Sequence, residues 1–81
     1  MTRGELIDSM IDQGWDVAFI YNGKKCGLSS EVYNGVFSFQ AWCGSGIKEY
    51  GAMNIENVIN DPFFDGKSIN ELMNMIEMDF F

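Results

Sequence analysis

Histidine is absent from this 81-residue chain, proline occurs once, cysteine twice, and lysine and arginine together only five times. Without histidine the commonest general acid or base is missing, and the formal charge of −7 changes little between about pH 6 and 8. No nucleophile elbow, phosphate loop or dinucleotide fingerprint appears, so no cofactor and no enzymatic activity are expected. Five basic residues against twelve acidic ones argue against binding nucleic acid or an anionic membrane, since both would be repelled. The same balance favours a basic protein partner. No stretch reaches the roughly 18 apolar residues of a membrane span, and no basic segment followed by an apolar run opens the chain. A cytoplasmic protein is expected. Two cysteines are too few for a disulfide scaffold, and a reducing compartment leaves both as thiols by default.

What is present is apolar. Hydrophobic residues make up 47% of the chain and aromatic residues 15%, which excludes disorder and leaves room for one domain spanning residues 1–81. Thr2-Arg3-Gly4-Glu5 has the form of a capping box, in which the threonine hydroxyl and the glutamate carboxylate satisfy free N–H groups at a helix start. Leu6, Ile7, Met10 and Ile11 then recur at helical spacing, and Gly14 is placed to end the helix, predicted over about residues 3 to 13.

The tripeptide Tyr-Asn-Gly occurs at residues 21–23 and again at 33–35. Asn-Gly is the preferred pair for a two-residue type I′ hairpin, because both central residues take positive φ. Two such turns fix a register: Tyr21 opposite Lys24, Phe19 opposite Cys26, Val17 opposite Leu28, and then Cys26 opposite Cys43, Leu28 opposite Ala41, Ser30 opposite Phe39 and Val32 opposite Phe37. Alternation along the strands sorts Val17, Phe19, Cys26, Leu28, Val32, Phe37, Phe39, Ala41 and Cys43 onto one face, with Ser30 its polar member. The other face collects Asp16, Lys25, Ser29, Glu31, Ser38 and Gln40 together with Ala18, Ile20, Gly27, Tyr33, Val36 and Trp42. The first face is a core; the second is mixed and wet.

Beyond Cys43-Gly44-Ser45-Gly46 the chain turns, and residues 47–50 are either a short fourth strand or a loop. Asn54 caps a short helix carrying Ile55, Val58 and Ile59, stopped by Pro62. Phe63 and Phe64 lie in a loop and plug the core, and Ser68-Ile69-Asn70-Glu71 is a second capping box opening a helix with Ile69, Leu72, Met73 and Ile76 on one side. The expectation is α+β: an N-terminal helix, a three-stranded or possible four-stranded antiparallel meander, and two C-terminal helices on one sheet face.

Four features could bear function. Cys26 and Cys43, opposed across two strands, are either redox partners or two small apolar core residues. Asp61 and Asp65 bracket phenylalanines where a calcium loop needs oxygen ligands, so no metal is expected there. Glu5, Asp8 and Asp12 point away from the apolar stripe of the first helix, and Asp16 continues the charge; they form either a solvated face or a docking surface for a basic partner. Trp42, opposite Gly27 on the wet face, and Tyr33 are candidate anchors unless the C-terminal residues 78–81 cover the tryptophan.

A capped helix, a twisted hairpin pair and a loop reading DPFFDGKSINEL before a last helix resemble small acidic proteins encoded by bacteria and their phages. In charge and element order the chain is similar to acidic anti-CRISPR inhibitors. That resemblance implies an inhibitor that presents carboxylates to a basic, nucleic-acid-binding site on another protein, with Glu5, Asp8, Asp12 and Asp16 standing in for phosphates. The other expectation is a structural or self-associating domain, a homodimer paired through the wet face or through an open third-strand edge.

Overall fold

Thr2 makes its capping box: its hydroxyl accepts from the Glu5 N–H at 3.1 Å, and the Glu5 carboxylate accepts from the Thr2 N–H at 3.3 Å. The computed structural model describes residues 2–81. Helix α1 (Arg3–Ile7) follows the box and continues as a π-helical turn (Asp8–Asp12), closed by the Gln13 N–H donating to the Asp8 carbonyl at 3.1 Å. The single helix expected over residues 3 to 13 is therefore half α and half π. Apolar spacing does not separate the two windings, because either keeps Leu6 and Met10 on the inner side, and both are fully buried.

Both Asn-Gly turns form, with φ near +52° at Asn22 and Asn34 and above +70° at Gly23 and Gly35. They join β1 (Val17–Tyr21) to β2 (Lys24–Tyr33) and β2 to β3 (Val36–Cys43), in the register derived from the turns, from Tyr21 opposite Lys24 through Cys26 opposite Cys43. A third tight turn at Gly44-Ser45, with φ of 61° at the glycine as a type II′ turn requires at its first central residue, adds β4 (Gly46–Gly51). The last strand, β5 (Asp79–Phe80), returns to pair with Val17 and Ala18, giving one antiparallel sheet in the order β4-β3-β2-β1-β5.

This corrects the expected architecture. The sheet has five strands, strands dominate, and the helices are short: α2 (Ile55–Ile59) and α3 (Ile69–Leu72) are little more than single turns. The physical reason lies at the outer edge of β1, whose backbone groups need partners. Asp16 and Phe81 exchange backbone hydrogen bonds of 2.7 and 3.0 Å there, and the chain must leave α3 early to reach that edge. Met73 and Ile76, expected on a longer helix, lie in the turn and bend after it.

Leu6, Met10, Val58, Ile59, Ile69 and Leu72 meet Val17, Phe19, Leu28, Phe39 and Ala41 in one core, so all the helices cover the same sheet face. Phe64 joins them edge-to-face on Phe19 at 5.1 Å, while Phe63 is half-buried. Val32, assigned to the core by alternation, is 58% exposed. Of the opposed pair Val32 and Phe37 near the hairpin tip, only Phe37 is partly buried against the core. Among the described residues no helix is long and apolar enough to cross a membrane.

Candidate functional site

The sheet face turned away from the helices is bare, and the pleat decides what it shows. Ala18, Gly27, Trp42 and Ile47 lie in one row across β1, β2, β3 and β4. Gly27 has no side chain, and the Trp42 indole occupies the space a Cβ there would take. The indole is half-buried, its ring carbons seated over Gly27. Ile20 and Ile47 flank it, 59% and 66% exposed. An open groove of about 460 Å³ runs beside Trp42, bordered by Ile20, Lys25, Ile76, Glu77 and Asp79.

The neighbouring part of the same face is polar. Ser29, Glu31, Ser38, Gln40 and Glu49 line a smaller depression of about 240 Å³, where the Gln40 amide donates to the Glu49 carboxylate at 3.3 Å. An irregularity in the β3–β4 ladder between Phe39 and Gln40 lies beside it.

The ion pairs leave this face negative. Arg3 pairs with Glu56, Lys24 with Asp65 at 3.0 Å, Lys48 with Asp61 at 3.0 Å and Lys67 with Glu71 at 3.7 Å. Lys25 is the one cation without an ion pair among the described residues. The carboxylates left without a lysine or arginine partner, again among the described residues, are Glu5, Asp8 and Asp12 on the helical segment and Asp16, Glu31, Glu49, Glu77 and Asp79 on or beside the open face.

The six residues singled out in the sequence do not form one site. Glu5, Asp8 and Asp12 are exposed on the segment that covers the core, so the sheet separates them from Trp42. Asp16 is half-buried and accepts from the Ser30 N–H at 3.3 Å, which gives it a structural task at the end of the β1 ladder. Tyr33 stands at the hairpin tip, 79% exposed and away from the groove. Ile47, Glu49 and Asp79 belong to the open face and were not singled out. Recognising Gly44-Ser45 as a tight turn would have placed the first two by alternation from Trp42, whereas Asp79 has no local signal.

A second cluster, Lys48-Tyr50-Asp61, ties β4 to the loop after α2. The Tyr50 hydroxyl donates to Asp61 at 2.8 Å, and the Lys48 ammonium lies 5.1 Å from the Tyr50 ring centre. Burial, then the bond to Asp61 and its charge, push the Tyr50 hydroxyl well above its ordinary range. Burial would raise Asp61, but the bonds from Lys48 and Tyr50 and the Lys48 charge outweigh it and hold the carboxyl below its usual value. A lowered carboxyl contributes stability above its unfolded pKa of about 3.9, and loses it as pH falls through the lower folded value. Asp61→Asn is accordingly expected to flatten the fall in stability between about pH 4 and 2, measured by urea unfolding across that range. An acid limb identical to that of the parent protein would show that Asp61 is not responsible. Among the described residues no group of histidine, cysteine or acidic side chains could hold a metal ion.

Comparison with models of protein families, with curated proteins and with solved structures found no match to this chain.

Proposed function

We propose that this protein is a small acidic interaction domain that occupies a basic, nucleic-acid-binding surface of a partner protein. The open sheet face makes the contact, and the helix carboxylates supply the steering field. One observation carries the reading: a strip formed by exposed Ile20 and Ile47 and half-buried Trp42 adjoins carboxylates that, among the described residues, have no lysine or arginine partner. An apolar centre with tryptophan as anchor supplies the adhesion of an interface, and uncompensated charge at its rim selects the sign of the partner. The charge likeness to acidic anti-CRISPR inhibitors supports the same mode, carboxylates standing where phosphates would.

The test uses the full chain with two alternating peptides, lysine–valine and glutamate–valine, followed by calorimetry and stopped flow. The lysine peptide is expected to bind, and to weaken as salt rises from about 50 to about 300 mM. Trp42→Ala should cost about tenfold in affinity through faster dissociation. Asp8→Lys with Asp12→Lys should slow association and leave dissociation unchanged. Equal binding of the glutamate peptide, insensitivity to salt, or the same loss from every charge reversal whichever face carries it would overturn the proposal.

A second reading, self-association, is favoured by the free edge of β4, where Ile47 is exposed. The edge expected on the third strand is not available, because β4 covers β3. Light scattering separates the two readings: a dimer lost in Trp42→Ala but kept on helix charge reversal would replace the first with the second.

A further inference from the structure

Cys26 and Cys43 are directly opposed on β2 and β3, with their sulfurs 3.1 Å apart and the Cys26 thiol donating to Cys43. The adjacent Gly44 N–H donates to the Lys25 carbonyl at 2.9 Å, so the ladder bonds fall on Lys25 and Gly44 and the cysteines occupy the pair that exchanges none. Such positions bring Cα atoms to about 4.5 Å, within the span a disulfide bridges. The two thiols also differ. Cys26 is 1% exposed, whereas Cys43 is half-buried at the strand end, beside the glycine turn on which the Lys24 stem lies.

We infer that Cys26 and Cys43 form a thiol–disulfide exchange site, entered at Cys43 and closed by Cys26, whose reaction partner is a small-molecule disulfide such as oxidised glutathione. Inert packing requires only two small apolar side chains, at any positions in the core. It does not require them to face each other at the closely spaced pair, one sheltered and one open.

The chemistry balances. The Cys43 thiol gives its proton to solvent, and its thiolate attacks one sulfur of oxidised glutathione, forming a mixed disulfide and releasing one glutathione thiolate. Cys26 then loses its proton, and its thiolate attacks the Cys43 sulfur, forming the Cys26–Cys43 bond and releasing the second glutathione. Two electrons pass from the protein dithiol to the glutathione disulfide, and the two protons end on the two glutathione thiols. Burial first, and then the bond to Cys43 and its proximity, push the Cys26 thiol up to about 12, so Cys26 is not the thiolate that attacks first.

The experiment is incubation of the full chain with excess oxidised glutathione, followed by intact mass measurement and alkylation after denaturation. The parent protein is expected to lose two hydrogens, retain no glutathione and have no alkylatable thiol left, while its thermal midpoint rises and falls back on reduction. Cys26→Ser should hold one glutathione on Cys43, and Cys43→Ser should stay unmodified. Two alkylatable thiols in the treated parent protein, or a glutathione retained on it, would overturn the inference even if neither serine variant folds.

Discussion

Gly27→Ala is expected to destabilise the protein by about 1–3 kcal/mol or more, where the same substitution in an ordinary strand stabilises. A Cβ at residue 27 would lie 2.1 and 2.4 Å from two ring carbons of Trp42 and 2.5 Å from the Val17 carbonyl oxygen. The indole can swing into solvent. The carbonyl belongs to the β1–β2 ladder and cannot move without opening it. The same change in a Trp42→Ala background should therefore recover only part of the loss, and urea unfolding of the four proteins in the cycle measures that part. Full recovery would mean that the ring alone demands the glycine; no loss at all would mean that the indole does not lie on the sheet. At roughly 0.05–0.15 kcal/mol per residue, a domain of this size has little stability in reserve against such a change.

Phe64→Ala should be costlier, about 3–5 kcal/mol, although the residue lies in a loop between helices. Phe64 is 2% exposed and packs edge-to-face on Phe19 and on Phe63. Its loop is held in place by a tight turn with positive φ at both Asp65 and Gly66, and Phe64 and Lys67 bridge across it. The Asp65 carboxylate then accepts from the Lys24 ammonium and the Asn22 amide, clamping this turn onto the first hairpin. The half-buried neighbour sets the control: Phe63→Ala should cost distinctly less. Chemical unfolding of both variants decides it, and a Phe64→Ala loss no larger than that of Phe63→Ala would refute the placement of Phe64 as a core residue.

The two Asn-Gly turns show how local chemistry becomes long-range structure. Positive φ at residues 22, 23, 34 and 35 is a property of two dipeptides, yet it fixes which residue faces which over some twenty-five positions, because strand pairing propagates a register without further information. The same arithmetic brought Trp42 over Gly27 and Cys26 against Cys43. It failed at Val32, since alternation tells which way a side chain points and not whether anything lies above it. The candidate site was legible only in part for a related reason. Trp42 and Asp16 could be placed by alternation, and Glu5, Asp8 and Asp12 by helical spacing, but Asp16 was joined to the helix carboxylates on charge alone, and charge carries no information about which side of the sheet a helix will cover.

By itself, then, the sequence determined the features whose causes are local: the two capping boxes, the two Asn-Gly turns, the pairing of β1, β2 and β3, and the excess of negative charge. Only the tertiary structure decided that a two-residue strand at residues 79–80 closes the outer edge of β1, that α3 stops after Leu72, and that the unpaired carboxylates divide between two opposite surfaces. A turn or a cap is stabilised by atoms within a few residues, so its residues announce it. An edge strand is stabilised by backbone groups some sixty positions away, which any residues can supply, and nothing in Asp79-Phe80 needs to differ for that pairing to form.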